Sequence, residues 1–206
     1  MSKVILRKIK TSDTDNIVRW RNSDSVKRNL FTQSELTAEQ HLGWLKSKVE
    51  TGSCAQYIIV VSENSTNTDI GTVFIKNIDR QSNKGEFGIF IGEADARGKG
   101  YAKLATIEIL KIAFEKMMLN RVFLTVMADN ISGIKVYEKA GFLCEGVLRE
   151  DYLRGNTYVD VLVMGVTKKM WLKCGNISQI GGGVLLPNQI AICATLPDSN
   201  ARRTAA

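Results

Sequence analysis

The sequence is poor in histidine and cysteine, the side chains that most often bind transition metals. It has one histidine, His41, and four cysteines in 206 residues, and the cysteines show no CxxC spacing. Zinc sites and disulfide frameworks need more numerous or more closely spaced ligands than these. We therefore expect no metal site, and reduced, structural thiols at Cys54, Cys144, Cys174 and Cys193.

Long hydrophobic runs are also missing. The first ten residues, MSKVILRKIK, are interrupted by Lys and Arg, and their apolar run is too short for a signal peptide. No window of the chain approaches the length of a membrane span. These observations predict a soluble, cytoplasmic protein without a membrane partner.

Proline is nearly absent, and both prolines lie beyond residue 171. That region, residues 171–206, also carries a glycine triplet and no sustained hydrophobic period, so we expect a poorly ordered tail. A packed strand at 184–186 or 190–193 is the alternative. Residues 1–170 have the length of one globular domain, and 44% hydrophobic with 24% charged residues is an ordinary globular composition.

Acidic residues are outnumbered, and the net charge is +7 at pH 7. The tail holds three cations and one anion, which leaves +5 in the domain. The aromatic residues do not alternate with the basic ones, and no helix-turn-helix or zinc pattern occurs, so nucleic acid is not expected as a partner. A small polyanionic ligand fits this charge better, and a generally solvated basic surface is the alternative.

Apolar periodicity predicts an α/β fold with one mixed, mostly antiparallel sheet flanked by helices. The three strand candidates of the central region are expected to form an antiparallel meander. The predicted strands are 4–9, 57–62, 70–77, 86–91, 121–127, 142–150 and 157–166, with turns at 63–69, 79–85 and 153–156.

Four helical regions are predicted between these strands. A cap at 11–13 opens a helix that runs through Trp20, and a second, broken helical piece follows. A capping box at 37–40 opens a helix that ends at Gly52, with a buried face of Leu42, Leu45 and Val49. A long helix over 101–118 buries Leu104, Ile107, Leu110 and Phe114, and a short one over 131–140 is stopped by Gly141.

The stretch DARGKGYAKLA, residues 95–105, joins a predicted strand to the long helix. Two glycines let the backbone approach a ligand closely, and the free N–H groups of a helix N-terminus attract anions. The cations beside them are Arg97, Lys99 and Lys103. The glycine spacing fits neither a Walker A loop nor a dinucleotide fingerprint, so we expect another phosphate ligand, with a plain turn as the alternative.

The segment Arg97–Ala102 matches the R/Q-x-x-G-x-G/A pattern of the GNAT superfamily of acyl-CoA N-acyltransferases. NISGIKVYEKAGF, residues 130–142, resembles the second signature of that family, and EFGIFIGE, residues 86–93, resembles its fourth strand. In element order the resemblance runs from about residue 4 to 169. It implies a GNAT fold that binds acetyl-CoA through Phe90, Ile91, Arg97, Gly98, Lys99, Gly100, Tyr101, Ala102 and Asn130.

The same resemblance implies a catalytic residue. Tyr137 occupies the position of the family's general acid, and a phenol with an ordinary pKa near 10 can protonate a thiolate at neutral pH. Packing against the sheet is the alternative for Tyr137, and capping of the following helix is the alternative for Asn130.

The general base is predicted from strand geometry. Glu86, Gly88 and Phe90 share one face of their strand, where Gly88 leaves room for an acceptor and Glu86 offers a carboxylate. A solvated charge at the strand end is the alternative for Glu86. His41 is the second choice of base.

The acceptor segment, residues 18–45, combines arginines with aromatic residues. Its W-R-N…F…E-x-H-x-x-W order resembles the branch that acetylates UDP-4-amino-4,6-dideoxy-N-acetyl-altrosamine in pseudaminic acid synthesis, although Gln40 replaces a second Glu. That resemblance implies an amino-sugar nucleotide as substrate, bound by Arg21, Arg28, Phe31, His41 and Trp44. Trp20 and Trp44 as core anchors are the alternative.

Two other functions stay open at this point. The region EGVLREDYLRGNTYVDVLVMGV, residues 145–166, also resembles the branch that acetylates the N-termini of ribosomal proteins. A non-catalytic regulator that binds CoA is the second, although Tyr137 and the intact glycine loop argue against it. Whichever function applies, we expect a monomer or a homodimer.

Overall fold

The computed structural model describes residues 2–177, which form one seven-stranded sheet with helices on its faces. The strand order is β1-β2-β3-β4-β5-β7-β6. Neighbouring strands are antiparallel, except that β4 and β5 are parallel. The strands are β1 Lys3–Lys8, β2 Ala55–Glu63, β3 Thr66–Asp79, β4 Lys84–Ile91, β5 Arg121–Met127, β6 Leu143–Arg154 and β7 Thr157–Thr167. The predicted α/β class and the meander of β2, β3 and β4 are confirmed.

Helices connect several of these strands along the chain and cover the faces of the sheet. Two of them continue into a π-helical turn, at Leu45–Val49 and at Ile112–Lys116. No helix within residues 2–177 combines the length and the apolar character needed to cross a bilayer. The helices are α1 Thr14–Asn22, α2 Asp24–Lys27, α3 Ala38–Trp44, α4 Tyr101–Lys111, α5 Ile131–Lys139 and α6 Lys168–Ile177.

The buried faces of α3 and α4 differ from prediction by one position. On α3, Leu42 is 44% exposed while His41 and Leu45 are buried. On α4, Leu104 is 43% exposed, and Ala105 turns inward in its place. A period of 3.6 residues places two adjacent positions near the edge of the apolar face, and contact with the sheet decides which one is buried.

The other differences concern the ends of elements. Residues 63–69, expected to be a long turn, are mostly strand, because β2 and β3 meet in a tight hairpin at Asn64 and Ser65, both with positive φ. The predicted start of the tail, residue 171, falls inside α6, where Trp171 packs on Phe114 with ring centroids 5.6 Å apart. Residues 178–206 lie outside the described residues, as do the two predicted alternative strands.

A second, small core cluster fixes the end of β4. Trp20 of α1 is 1% exposed and packs with Ile17, Ile58 and Val60 between α1 and the sheet. Its indole Nε1 donates to Glu93 at 2.7 Å, just beyond β4. Trp20 is therefore a core anchor, as the alternative interpretation of its position predicted.

Gly92→Ala should destabilise the fold, because an ideal Cβ at Gly92 would lie 2.0 Å from Cγ of the Trp20 ring. The ring is enclosed and hydrogen-bonded, so overpacking should cost about 1–3 kcal/mol of unfolding free energy. Urea denaturation measures this loss.

Gly43→Ala is the matched control, since its Cβ would meet nothing within 4 Å on the exposed side of α3. It should leave stability unchanged or raise it by up to about 1 kcal/mol, because alanine favours helix. Equal stability of the two variants would contradict the contact between Gly92 and Trp20.

Candidate active site

The site begins where β4 and β5 separate. β4 pairs with β3 along its length, but it pairs with β5 only through Lys84, Gly85 and Glu86. Beyond Glu86 the two strands diverge, and β5 stays paired with β7 as far as Met127. The upper half of β4 therefore has an unpaired edge inside the sheet, facing a gap that another extended chain can fill.

The strand register decides which main-chain groups face that gap. Across β3 and β4, the Gly92 N–H donates to the Ile70 carbonyl at 2.8 Å. Main-chain groups alternate in direction along a strand, so those of Phe90 also point to β3, while those of Ile89 and Ile91 point into the gap. Of the two predicted main-chain contacts, Ile91 lies at the gap, and Ile89 takes the place expected for Phe90.

The glycine loop forms a backbone concavity at the start of α4. Gly98 and Gly100 have φ of +74° and +82°, and a Cβ at either would meet nothing within 4 Å. Gly100 is the N-cap of α4 and supplies no side-chain cap to the first turn, which starts at Tyr101 and Ala102. The N–H groups of that turn are oriented to receive an anion.

The predicted cations of the loop have different positions. Arg97 donates through Nε to the Ile91 carbonyl at 3.1 Å and through Nη2 to the Gly92 carbonyl at 3.0 Å, so it holds the end of β4. Lys103 lines the adjoining cavity, whereas Lys99 is exposed and does not line it.

This adjoining cavity, the first cavity, has a volume of about 550 Å³ and lies between α4, α5 and the open edge of β4. Two cations missed in the sequence, Lys135 and Lys139 of α5, complete its positive rim with Arg97 and Lys103. Their i,i+4 spacing places them on one helix face, and this spacing is the feature of the sequence that could have predicted their shared position. Asn130 also lines the cavity, and it caps α5 by accepting from the Gly133 N–H at 3.0 Å.

A second cavity of about 410 Å³ is lined by residues of α1, α3 and the sheet. The two cavities meet at Ile89, Phe90 and Tyr137, which line both. The Tyr137 ring packs edge-on against Phe87 with centroids 5.6 Å apart, and burial raises the pKa of its hydroxyl to about 12. An uncharged phenol thus stands where the cavities join.

Glu86 lines the second cavity, and the structure gives both its carboxylate oxygens partners. Lys76 Nζ lies 3.0 Å from Oε1, and the Asn77 amide donates to Oε2 at 2.8 Å. Lys76 stands opposite Glu86 in the pairing of β3 with β4 and lines the same cavity. In the site, the Glu86 carboxylate is therefore part of an ion pair with Lys76.

The structure separates the two predicted arginines. Arg21 lines the second cavity, but its guanidinium donates to the carbonyls of Thr32 and Ser34, both at 2.8 Å, and burial lowers its pKa. It thereby fixes the loop that carries Phe31. Arg28 is exposed at the end of α2 and lies outside the lining of both cavities, contrary to its predicted place in the acceptor site.

The other predicted acceptor residues do come together. Phe31, His41 and Trp44 all line the second cavity. Phe31 packs edge-on against Tyr152, and the Trp44 indole Nε1 donates to the Gln56 side chain at 3.1 Å. His41 is buried, which lowers its pKa.

A sheet that opens in the middle, with an anion-binding glycine loop on one side and the second cavity on the other, is the arrangement expected of an acyl-CoA N-acyltransferase. The model of the acetyltransferase (GNAT) domain matches residues 3–143. The chain belongs to this family.

Individual relatives agree with the family. The acetyltransferase PseH of Campylobacter jejuni is 28% identical over 134 residues, which cover 65% of this chain and 79% of that protein. The uncharacterized protein MJ1062 of Methanocaldococcus jannaschii is 28% identical over 142 residues, 68% of this chain but only 28% of that protein.

The fold also matches a solved structure, the spermidine N-acetyltransferase of Vibrio cholerae in complex with CoA and spermine, with a TM-score of 0.75. The identity is 22%, covering 82% of this chain and 98% of that chain.

The chain is accordingly an acetyl-CoA-dependent N-acetyltransferase. The hydrogen-bond donors and cations of the first cavity suit acetyl-CoA. Four cationic side chains and an uncapped helix N-terminus suit phosphates, and the open edge of β4 suits an extended chain of amides.

Gly100→Asp should abolish CoA binding, because a carboxylate would enter the concavity and repel the phosphates. Titration calorimetry with CoA measures the loss. Gly155→Asp is the matched control, since Gly155 also has a positive φ, +61°, but sits in the β6–β7 turn and lines neither cavity. A similar loss of affinity in both variants would show that backbone strain, and not the anion site, is responsible.

Proposed function

We propose that the chain transfers the acetyl group of acetyl-CoA to the 4-amino group of a UDP-linked amino sugar. The observation that carries this proposal is the charge of the second cavity. Its charged lining residues within the described chain are Arg21, Lys76 and Glu86, and the carboxylate is paired with Lys76. The cavity is therefore net positive and suits an acceptor that bears an anionic group.

The same charge disfavours a polyamine as acceptor. A polyamine carries several positive charges and needs unpaired carboxylates, whereas the one carboxylate among these lining residues already has a cation 3.0 Å away. The Vibrio cholerae protein, which binds spermine, therefore supports the fold and the cofactor here but not the acceptor. The order of residues 18–45, which resembles that of the amino-sugar branch, supports the sugar nucleotide.

The uncharged lining of the second cavity also suits a sugar nucleotide. Phe31 and Trp44 contribute aromatic rings to its lining, and such rings can stack on a nucleobase. Further hydrogen-bonding side chains of the lining that can meet sugar hydroxyls are Asn29, Thr32, His41 and Thr125. Such a mixture of apolar walls and a few polar groups fixes the orientation of a small ligand.

The proposed mechanism follows from the meeting of the two cavities. Bound acetyl-CoA supplies an activated acetyl thioester. Main-chain groups of Ile89 and Ile91 hold it along β4, and their N–H dipoles polarise its carbonyl. Tyr137 gives its hydroxyl proton to the sulfur as the carbon–sulfur bond breaks. Glu86 accepts the proton that the attacking amine loses, directly or through a water molecule.

Tyr137→Phe should lower kcat by ~10²-fold while CoA affinity stays unchanged, as expected when a positioned general acid is lost from an otherwise intact site. Thiol release at saturating substrate measures kcat, and calorimetry measures CoA binding. Tyr158→Phe is the control, because Tyr158 is exposed on β7, outside both cavities. Wild-type turnover in Tyr137→Phe would make Tyr137 a packing residue.

The acceptor is tested by thiol release from acetyl-CoA with three amines: a UDP-linked 4-amino sugar, spermidine, and a peptide with the N-terminus of a ribosomal protein. We expect the highest kcat/KM for the nucleotide sugar, since only this acceptor is anionic. A higher kcat/KM for spermidine or for the peptide would overturn the proposed acceptor and leave the acetyltransferase assignment intact.

A further inference from the structure

His41 has a hydrogen-bond pattern that fixes which ring nitrogen carries its proton. Its Nδ1 lies 3.0 Å from the Thr14 hydroxyl oxygen. That hydroxyl donates its one hydrogen to the Thr11 carbonyl, at 2.7 Å. Since it has no second hydrogen to give, the Thr14 oxygen must accept from His41, and Nδ1 carries the N–H.

The other ring nitrogen is therefore a bare acceptor. His41 is 3% exposed, and burial keeps its pKa below the usual value although the nearby carboxylate of Asp13 acts in the opposite direction. In the neutral ring with Nδ1 protonated, Nε2 holds a lone pair. It is the one buried side-chain polar atom within residues 2–177 that has no hydrogen-bond partner.

None of the neighbouring side chains of the second cavity donates to this nitrogen, and the hydrogen bonds that they make go to other groups. Gln40 accepts from the Thr37 N–H at 3.0 Å as part of the α3 capping box. The Trp44 indole donates to Gln56, and Gln56 in turn donates to Thr72 at 3.2 Å. A buried acceptor without a partner is costly, so such an atom calls for a donor that the protein itself does not supply.

We propose that Nε2 of His41 accepts a hydrogen bond from a hydroxyl or N–H group of the acceptor substrate, which makes His41 a specificity-determining residue. The substrate that receives the acetyl group would then be a polar amine that carries hydrogen-bond donors, such as an amino sugar. This inference rests on the proposed function only in placing the acceptor in the second cavity. It assigns His41 to recognition, with the ring neutral throughout, and not to proton removal.

The protein itself offers a direct measurement, because His41 is the only histidine in the sequence. Imidazole ¹⁵N resonances of the wild-type protein, carrying no histidine tag, belong to this residue alone. In the free protein we expect a protonated Nδ1 and an unprotonated Nε2. A proton on Nε2 in the free neutral ring would overturn the proposal at once.

The second step adds a saturating amine with CoA in place of acetyl-CoA, so that no turnover occurs. The amine is the one with the highest kcat/KM among the three tested above. We expect the Nε2 resonance alone to move toward the protonated value, as it does when a lone pair accepts a hydrogen bond. If the resonance does not move at saturation, Nε2 of His41 does not contact the substrate and the proposal is wrong.

Two variants separate recognition from base catalysis. His41→Phe should raise KM for that amine by ~10-fold or more with kcat within about threefold of wild type, and His41→Gln should restore most of the loss, because its amide oxygen can replace Nε2 as an acceptor. A fall in kcat in both variants at unchanged KM would make His41 a base instead. Wild-type kinetics in His41→Phe would also overturn the proposal.

The outcomes for the acceptor and for His41 stay distinguishable. If the best amine is spermidine or the peptide, the proposed sugar acceptor fails, while the His41 contact is still tested with that amine. If none of the amines is acetylated, both proposals fall. The NMR measurement uses the wild-type protein, so it decides the question even if His41→Phe does not fold.

Discussion

The short parallel contact between β4 and β5 is the constraint on which the site depends. The two strands share three residue pairs, ending at Glu86 and Phe123, and each then follows its own antiparallel partner. The separation creates the open edge of β4, and α5 delivers Tyr137 into the space between the strands. An unpaired edge inside a sheet is unfavourable unless something completes it, so the fold leaves a position that an extended ligand fills.

An open edge of this kind needs its far end to be held, and two contacts do this. The Arg97 guanidinium binds the carbonyls of Ile91 and Gly92, where β4 ends. On the opposite side Trp20 fills the space left by the missing side chain of Gly92. Because Arg97 is used in this way, much of the positive charge for a phosphate ligand comes from Lys103, Lys135 and Lys139 instead.

Local patterns predicted the strands, the glycine loop and the starts of α3, α4 and α5, since alternation, capping residues and positive-φ glycines act within a few residues. Features that depend on distant contacts were not predictable. No local signal showed that Arg21 would bind the carbonyls of the following loop, or that His41 rather than Leu42 would face inward. The direction of the Phe90 main chain likewise follows from its register against β3, which no sequence window contains.

The distribution of charge supports the proposal that acetyl-CoA shares the site with an anionic acceptor. The first cavity has cations along its rim, and the second has a positive excess, so both attract negative groups. Burial holds the hydroxyl of Tyr137, at their junction, in its protonated form, and it favours the neutral form of His41 in the second cavity. Glu86, the carboxylate of the second cavity, is balanced by Lys76. In the proposed complex the cations would attract the anionic groups of both ligands, and the reacting groups would meet beside the buried Tyr137, where a hydrogen bond is stronger than in water.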